Sequence, residues 1–246
     1  MTEKNKLIYA IAVFYVIAII MRYLTNKVGI LSGIDNDAVK IILQGIGPTL
    51  GVLIASLIFK IKFSMTLKGN HKQALIPFLF YWLLPIVLIS AHTFLYNKSF
   101  PILTVFMFFI YGLLEEIGWR GFLQQQLKSL PKILNILIVA ILWFIWHLNF
   151  DITITNLLFL GLLILGSWGI GVVADKTNSL LAVSAFHTLN NVKTEQNLIL
   201  IGIFVILWIT LIVYMDKKSK KRNSCKISKN ANFAEKFVKE KITIQR

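Results

Sequence analysis

The chain has 246 residues, of which 57% are hydrophobic and 15% charged, with a formal charge of +15 and a mean hydropathy of +0.72. A water-soluble chain carries about 25% charged residues, so a soluble globular protein is excluded and a single polytopic membrane domain is expected. The basic residues flank apolar runs or crowd into the C-terminal tail, which speaks for membrane topology and against nucleic-acid binding, and the single cysteine, Cys225, excludes an intramolecular disulfide.

A spanning helix needs about 20 mostly apolar residues. Candidate segments follow at 7–23, 38–59, 74–95, 101–126, 133–148, 152–173, 179–190 and 198–215, which predicts an all-α integral membrane protein with a bundle of about eight transmembrane helices. The first run lacks a small-residue cleavage site and is long enough to span, so it reads as a retained helix and not as a signal peptide. Pro48, Pro77 and Pro85 fall within apolar runs and are expected to kink helices. Pro101 and Pro131 sit near helix starts. With all segments spanning, the lysines concentrate on the side of the N-terminus, giving a multi-pass protein of the cell membrane with both termini cytoplasmic. The domain organisation is a membrane domain over 1–215 and a basic tail over 216–246. The tail has eleven Lys/Arg against three acids, a composition suited to anionic headgroups of the lipid bilayer.

An ionisable group inside the bilayer is costly and marks either function or a buried pair. Of eleven acidic residues only Glu115 and Glu116 lie within an apolar segment, and His92, His147 and His187 lie in or beside such segments. Glu116 and Arg120 are four apart and stack on one helix face in the favourable order. Glu115 is turned by about 100° and has no local cation, and a carboxylate held in low dielectric suits a general base. Trp143 shares a face with His147, and Asn191 shares one with His187. A single histidine on an apolar helix is more often a core residue, and His92, without such helpers, is read as structural. For the others, that explanation has to be invoked separately at each costly polar position.

Hydrolysis needs a base for water and donors for the oxyanion. Glu115 and His147 can hold the water, with His187 and Asn191 presenting donors. Alternatively, the histidines and a glutamate can bind a divalent metal such as zinc with water in the open position. Both remain open. There is no His-Glu-x-x-His, no aspartate in an apolar run, and no Gly-x-Ser-x-Gly elbow around Ser167, where small residues read as helix packing.

Glu115-Glu116-x-x-x-Arg120, then His147, then His187-x-x-x-Asn191 resemble the three motifs of the CAAX-protease and bacteriocin-processing family, also called Abi. The resemblance covers the motif-bearing segment 101–191. One departure is Trp143, where the family usually has Phe four residues before the histidine. The resemblance implies an intramembrane endopeptidase acting on a membrane-associated peptide or protein. In it Glu115 and His147 activate water, His187 and Asn191 hold the oxyanion, and Glu116 and Arg120 brace the site. The family is described both with and without a metal, so the cofactor stays undetermined. A role in bacteriocin maturation or self-immunity is expected, with a non-catalytic immunity or binding protein as the alternative. A proton-coupled transporter ranks last, because no internal repeat is visible. At about 1.5 Å per residue, Glu115 and His147 do not reach the same depth on straight helices of these lengths, which calls either for helix ends several residues away from these bounds or for tilted or broken helices.

Overall fold

The computed structural model describes residues 2–62, 64–84 and 102–191 and isolated positions between 87 and 95 and between 206 and 217. The chain divides into two compact units, residues 1–198 and 199–246. All elements named below lie in the first. In the second, the described positions are helical.

α1 (Glu3–Asn26) starts on Thr2, whose hydroxyl accepts from the Asn5 amide, and α2 (Asp37–Phe59) on Asn36, whose side chain accepts from the amides of Ala38 and Val39. Such caps satisfy donors that the first turn leaves orphaned. α1 buries Ala10, Phe14, Ala18 and Thr25, while Ile8, Tyr9, Val16 and Ile20 on its other faces are about half exposed. Apolar side chains pointing outward along a whole helix fit a lipid environment. α2 buries Gly45, Gly47, Gly51 and Ala55, of which Gly47 and Gly51 let α1 approach closely.

α3 (His71–Phe78) runs into a π-helical segment, Leu79–Leu83. α4 (Ile102–Glu116) runs into a second, Ile117–Leu123, and ends in one α-turn, Gln124–Gln126. α5 (Lys132–Trp146) begins directly after Pro131. α6 (Ile154–Thr177) is capped by Thr153 and stops at Asn178, which is left-handed at φ 51°. α7 (Leu180–Asn191) follows at once. Its start is pinned by the loop after α2. The Leu180 and Leu181 amides donate to the carbonyls of Thr66 and Leu67, and the Ser179 hydroxyl donates to Leu67 as well.

All regular elements among the described residues are helical. Three helices, α1, α2 and α6, are long and apolar enough to cross a membrane, and α5 is apolar but shorter. The expected count of eight is therefore not reached by the described elements. The 101–126 segment is helical to its end but changes to π geometry midway. The 179–190 segment is α7, 12 residues long. The later part of 74–95, with Pro85 and His92, most of 198–215 and nearly all of the tail lie outside the described residues, as does Pro101.

Six of the described lysines line two hollows. Lys4 and Lys6 of α1 meet Lys60, Lys62 and Ser129 around one groove. Lys128 and Lys132 line a second cavity beside Gln124, Asn135 and Asp175. The α4–α5 connection contributes to both.

Candidate active site

The two glutamates close α4, and the chain immediately after them is π-helical, Ile117–Leu123. A π-turn places an extra residue in the helix and re-aims the side chains beyond it. Its neighbours are built for it. The Thr49 hydroxyl donates to the Leu114 carbonyl at 2.6 Å. A Cβ on Gly118 would come within 2.5 Å of Pro48 Cβ and 3.0 Å of Phe14 Cε2. Gly118 thus lets the irregular turn lie flat against α1 and α2.

Glu116, Arg120 and His187 form a closed cluster, each no more than 2% exposed. Arg120 Nη1 donates to Glu116 Oε1 at 2.9 Å, and His187 Nδ1 meets the same oxygen at 2.6 Å. Arg120 Nη2 reaches the Ser167 hydroxyl at 3.5 Å, and its guanidinium lies 4.6 Å from the centre of the Trp143 ring. The i,i+4 pairing expected of Glu116 and Arg120 is present. Ser167 also does more than allow close packing, since it takes one arm of the arginine.

Glu115 faces a cavity of about 60 Å³ lined by Tyr111, Glu115, Trp143, His147, Phe159 and His187, with Leu162 and Leu163. That is room for one or two waters. The Trp143 indole N–H donates to Glu115 Oε2 at 2.9 Å, and His187 Nε2 lies 3.9 Å from the same oxygen. His147 is not inside α5 but is the residue that caps it, followed by Leu148 in the left-handed region at φ 58°. Its Nδ1 lies 2.8 Å from the Trp143 carbonyl. A carbonyl only accepts, so Nδ1 carries the proton and Nε2 is the basic atom of the neutral ring. Its ring packs edge-on to Phe159, centres 4.8 Å apart.

The structure thus brings Glu115, His147 and His187 to one cavity and sets Glu116 and Arg120 behind it. Asn191 is the last residue of α7, and its side chain lies outside the described residues. Among the described residues no group of three His, Cys, Asp or Glu side chains is arranged to hold a metal ion. Glu115 Oε2 accepts from an indole, and Nδ1 of each histidine is engaged elsewhere, an arrangement that a metal-bound histidine also shows.

Two residues were missed as site components in the sequence. Trp143 appears there as a residue on the face of His147 and as an aromatic in place of the family's Phe, yet its N–H supplies what a phenyl ring cannot. Tyr111 stands four residues before Glu115, the same spacing that pairs Glu116 with Arg120, and that spacing was the signal available.

Residues 97–193 match the family of type II CAAX prenyl endopeptidases described as Rce1-like. This is in keeping with the CAAX-protease resemblance of the motifs, and the matched segment contains all six motif residues. No curated protein matches the chain.

Proposed function

We propose that the protein is an intramembrane endopeptidase that hydrolyses a peptide bond in a membrane-associated peptide or protein with a water held between Glu115 and His147. The observation that carries this reading is the convergence of Glu115, His147 and His187, from three separate helices, on one water-sized cavity. The family match points to the same chemistry.

The Trp143 indole orients the Glu115 carboxylate, and the Trp143 carbonyl sets the His147 tautomer. A water in the cavity gives a proton to Glu115, while its oxygen attacks the carbonyl carbon of the scissile bond. His147 Nε2 accepts the second hydrogen bond of that water. His187, paired through Nδ1 with Glu116, can carry a proton on both nitrogens and present Nε2–H to the developing oxyanion. Asn191, one turn further along α7, is the second proposed donor. The C–N bond then breaks as the nitrogen takes the proton that Glu115 received. Glu116 and Arg120 hold His187 and touch no reacting atom.

The substrate class is a lipid-anchored or membrane-inserted peptide, with bacteriocin maturation or self-immunity as the proposed setting. The basic end of the bundle is assigned to the cytoplasm by the positive-inside rule, and the C-terminus to the same compartment. The test is cell-based: wild type, Glu115→Ala and His187→Ala are expressed at matched levels and membrane peptides are followed by mass spectrometry. Loss of the same products in both variants, with the protein retained in the membrane, supports hydrolysis. An unchanged peptide profile and phenotype in both refutes it and favours a binding or immunity protein of the same fold.

A further inference from the structure

Part of the cavity wall lies outside the motifs. Tyr111 and Glu115 are one turn apart on α4 and so share a face, and both line the cavity. The Tyr111 ring is wedged in place: a Cβ on Gly45 of α2 would come within 2.8 Å of Tyr111 Cδ2. Arg22 Nη1 of α1 donates to the Tyr111 hydroxyl at 3.4 Å, and the Arg22 guanidinium is laid over the Trp146 ring, 4.2 Å from its centre. A guanidinium has no acceptor. Its bond occupies a lone pair of the phenol and leaves the phenol proton to be given elsewhere. Glu115, one turn along on the same face and lining the same cavity, is the carboxylate placed to accept it.

We infer that Arg22 and Tyr111 are positioning residues for Glu115: Tyr111 donates its proton to the carboxylate, and Arg22 fixes the phenol so that it can. With the Trp143 indole already on Oε2, a second donor removes the remaining freedom of the carboxylate to turn about its last bond. The consequence reaches beyond the matched segment. Arg22 belongs to α1, outside residues 97–193, so the first helix supplies a functional group to the site. α1 also clamps α5 directly. Tyr15 Oη donates to the Leu142 carbonyl at 2.9 Å, and Trp146 Nε1 donates to the Ala18 carbonyl at 3.0 Å. α1 thereby holds both helices that carry the water-activating pair.

The inference rests on the hydrolytic reading, and the experiment separates the two. Full-length protein is expressed in cells as wild type, Glu115→Gln, Tyr111→Phe, Arg22→Gln and the Tyr111→Phe/Arg22→Gln double variant. Peptides released by wild type and absent with Glu115→Gln define the product, and the corresponding peptide is the substrate for rates with purified protein in liposomes. Tyr111→Phe removes one hydrogen bond to a charged group. It is expected to lower kcat about tenfold with KM changed less than about twofold. Arg22→Gln is expected to lower kcat by a similar or smaller factor, and the double variant to be no worse than Tyr111→Phe, because Arg22 acts through Tyr111. Wild-type kcat in Tyr111→Phe overturns the inference while hydrolysis stands, as does a double variant whose losses multiply. A released-peptide profile identical in wild type and Glu115→Gln removes the hydrolytic reading itself, and this inference with it.

Discussion

Glu115 and Glu116 are sequence neighbours, equally buried at 1% and 0% exposure, and they live in opposite surroundings. Glu116 Oε1 is taken by Arg120 and by His187. The residues around it form a dry, ion-paired block reaching Ser167 on α6. Among the described residues Glu115 has no Lys or Arg bonded to it; it takes an indole N–H from α5, has His187 Nε2 at 3.9 Å, and faces a cavity. On the proposed hydrolytic reading, one helix face carries a reagent and the next carries its mount. A rotation of about 100° between consecutive residues makes this division possible with an adjacent pair. The π segment that begins immediately afterwards then carries Arg120 to where it reaches both Glu116 and α6. The general point is that a buried carboxylate is interpreted from what shares its face, since burial is the same for both.

The largest expected effects test that division. Glu115→Gln removes the base but keeps its shape, so the rate of product release should fall by about a thousandfold, with the melting temperature in detergent little changed. Glu116→Gln should do the reverse. It leaves Arg120 as an uncompensated buried charge, which costs about 3–5 kcal/mol, and the loss should show as lower yield and a lower melting temperature, with loss of activity following from the displaced His187. If Glu115→Gln is the variant that unfolds, or Glu116→Gln the one that stays folded and inactive, the two roles are exchanged.

Much of this division was legible from spacing alone. Glu116 and Arg120 at i,i+4 are paired as that spacing requires, and Glu115 faces elsewhere as its rotation requires. What was not legible is anything that depends on helix ends or on contacts between distant segments. His147 reads as an interior residue of an apolar run, but the helix stops one residue earlier and Leu148 turns into the left-handed region. No glycine or proline marks that stop. The π segment likewise has no local signature, because it is held by Thr49, Pro48 and Phe14 from other helices. The partner of Glu115 lies 28 residues away on α5. Hydropathy marked the long spans of α1, α2 and α6, and the 179–190 segment, short for a full span in the sequence, is the 12-residue α7.

A smaller effect sharpens the wet side. Trp143→Phe keeps an aromatic ring beneath the Arg120 guanidinium and beside both histidines, and it keeps the backbone carbonyl that fixes His147. Only the indole N–H is lost. The expected outcome is a fall in kcat of about tenfold at nearly constant stability, measured by product release and thermal unfolding side by side. A fall in stability of the same order as that of Glu116→Gln would mean that Trp143 belongs to the mount and not to the reagent.

The smallest effect sharpens the dry side. Ser167→Ala removes the hydroxyl that Arg120 Nη2 reaches at 3.5 Å, a long bond in a block where Arg120 Nε and Glu116 Oε2 already have no hydrogen-bond partner among the described residues. The short contacts at Glu116 Oε1 carry the pairing, so Ser167→Ala should cost less than about 1 kcal/mol of stability and leave kcat within about twofold, read from thermal unfolding and initial rates. A much larger loss would require the guanidinium to depend on α6 for its orientation, and the mount would then extend from α4 and α7 to a third helix. Glu116→Gln and Ser167→Ala in one chain decide between these. If Arg120 is held chiefly by Glu116, the loss of the serine adds little once the glutamate is gone. If α6 shares the load, the double variant falls well beyond either single one.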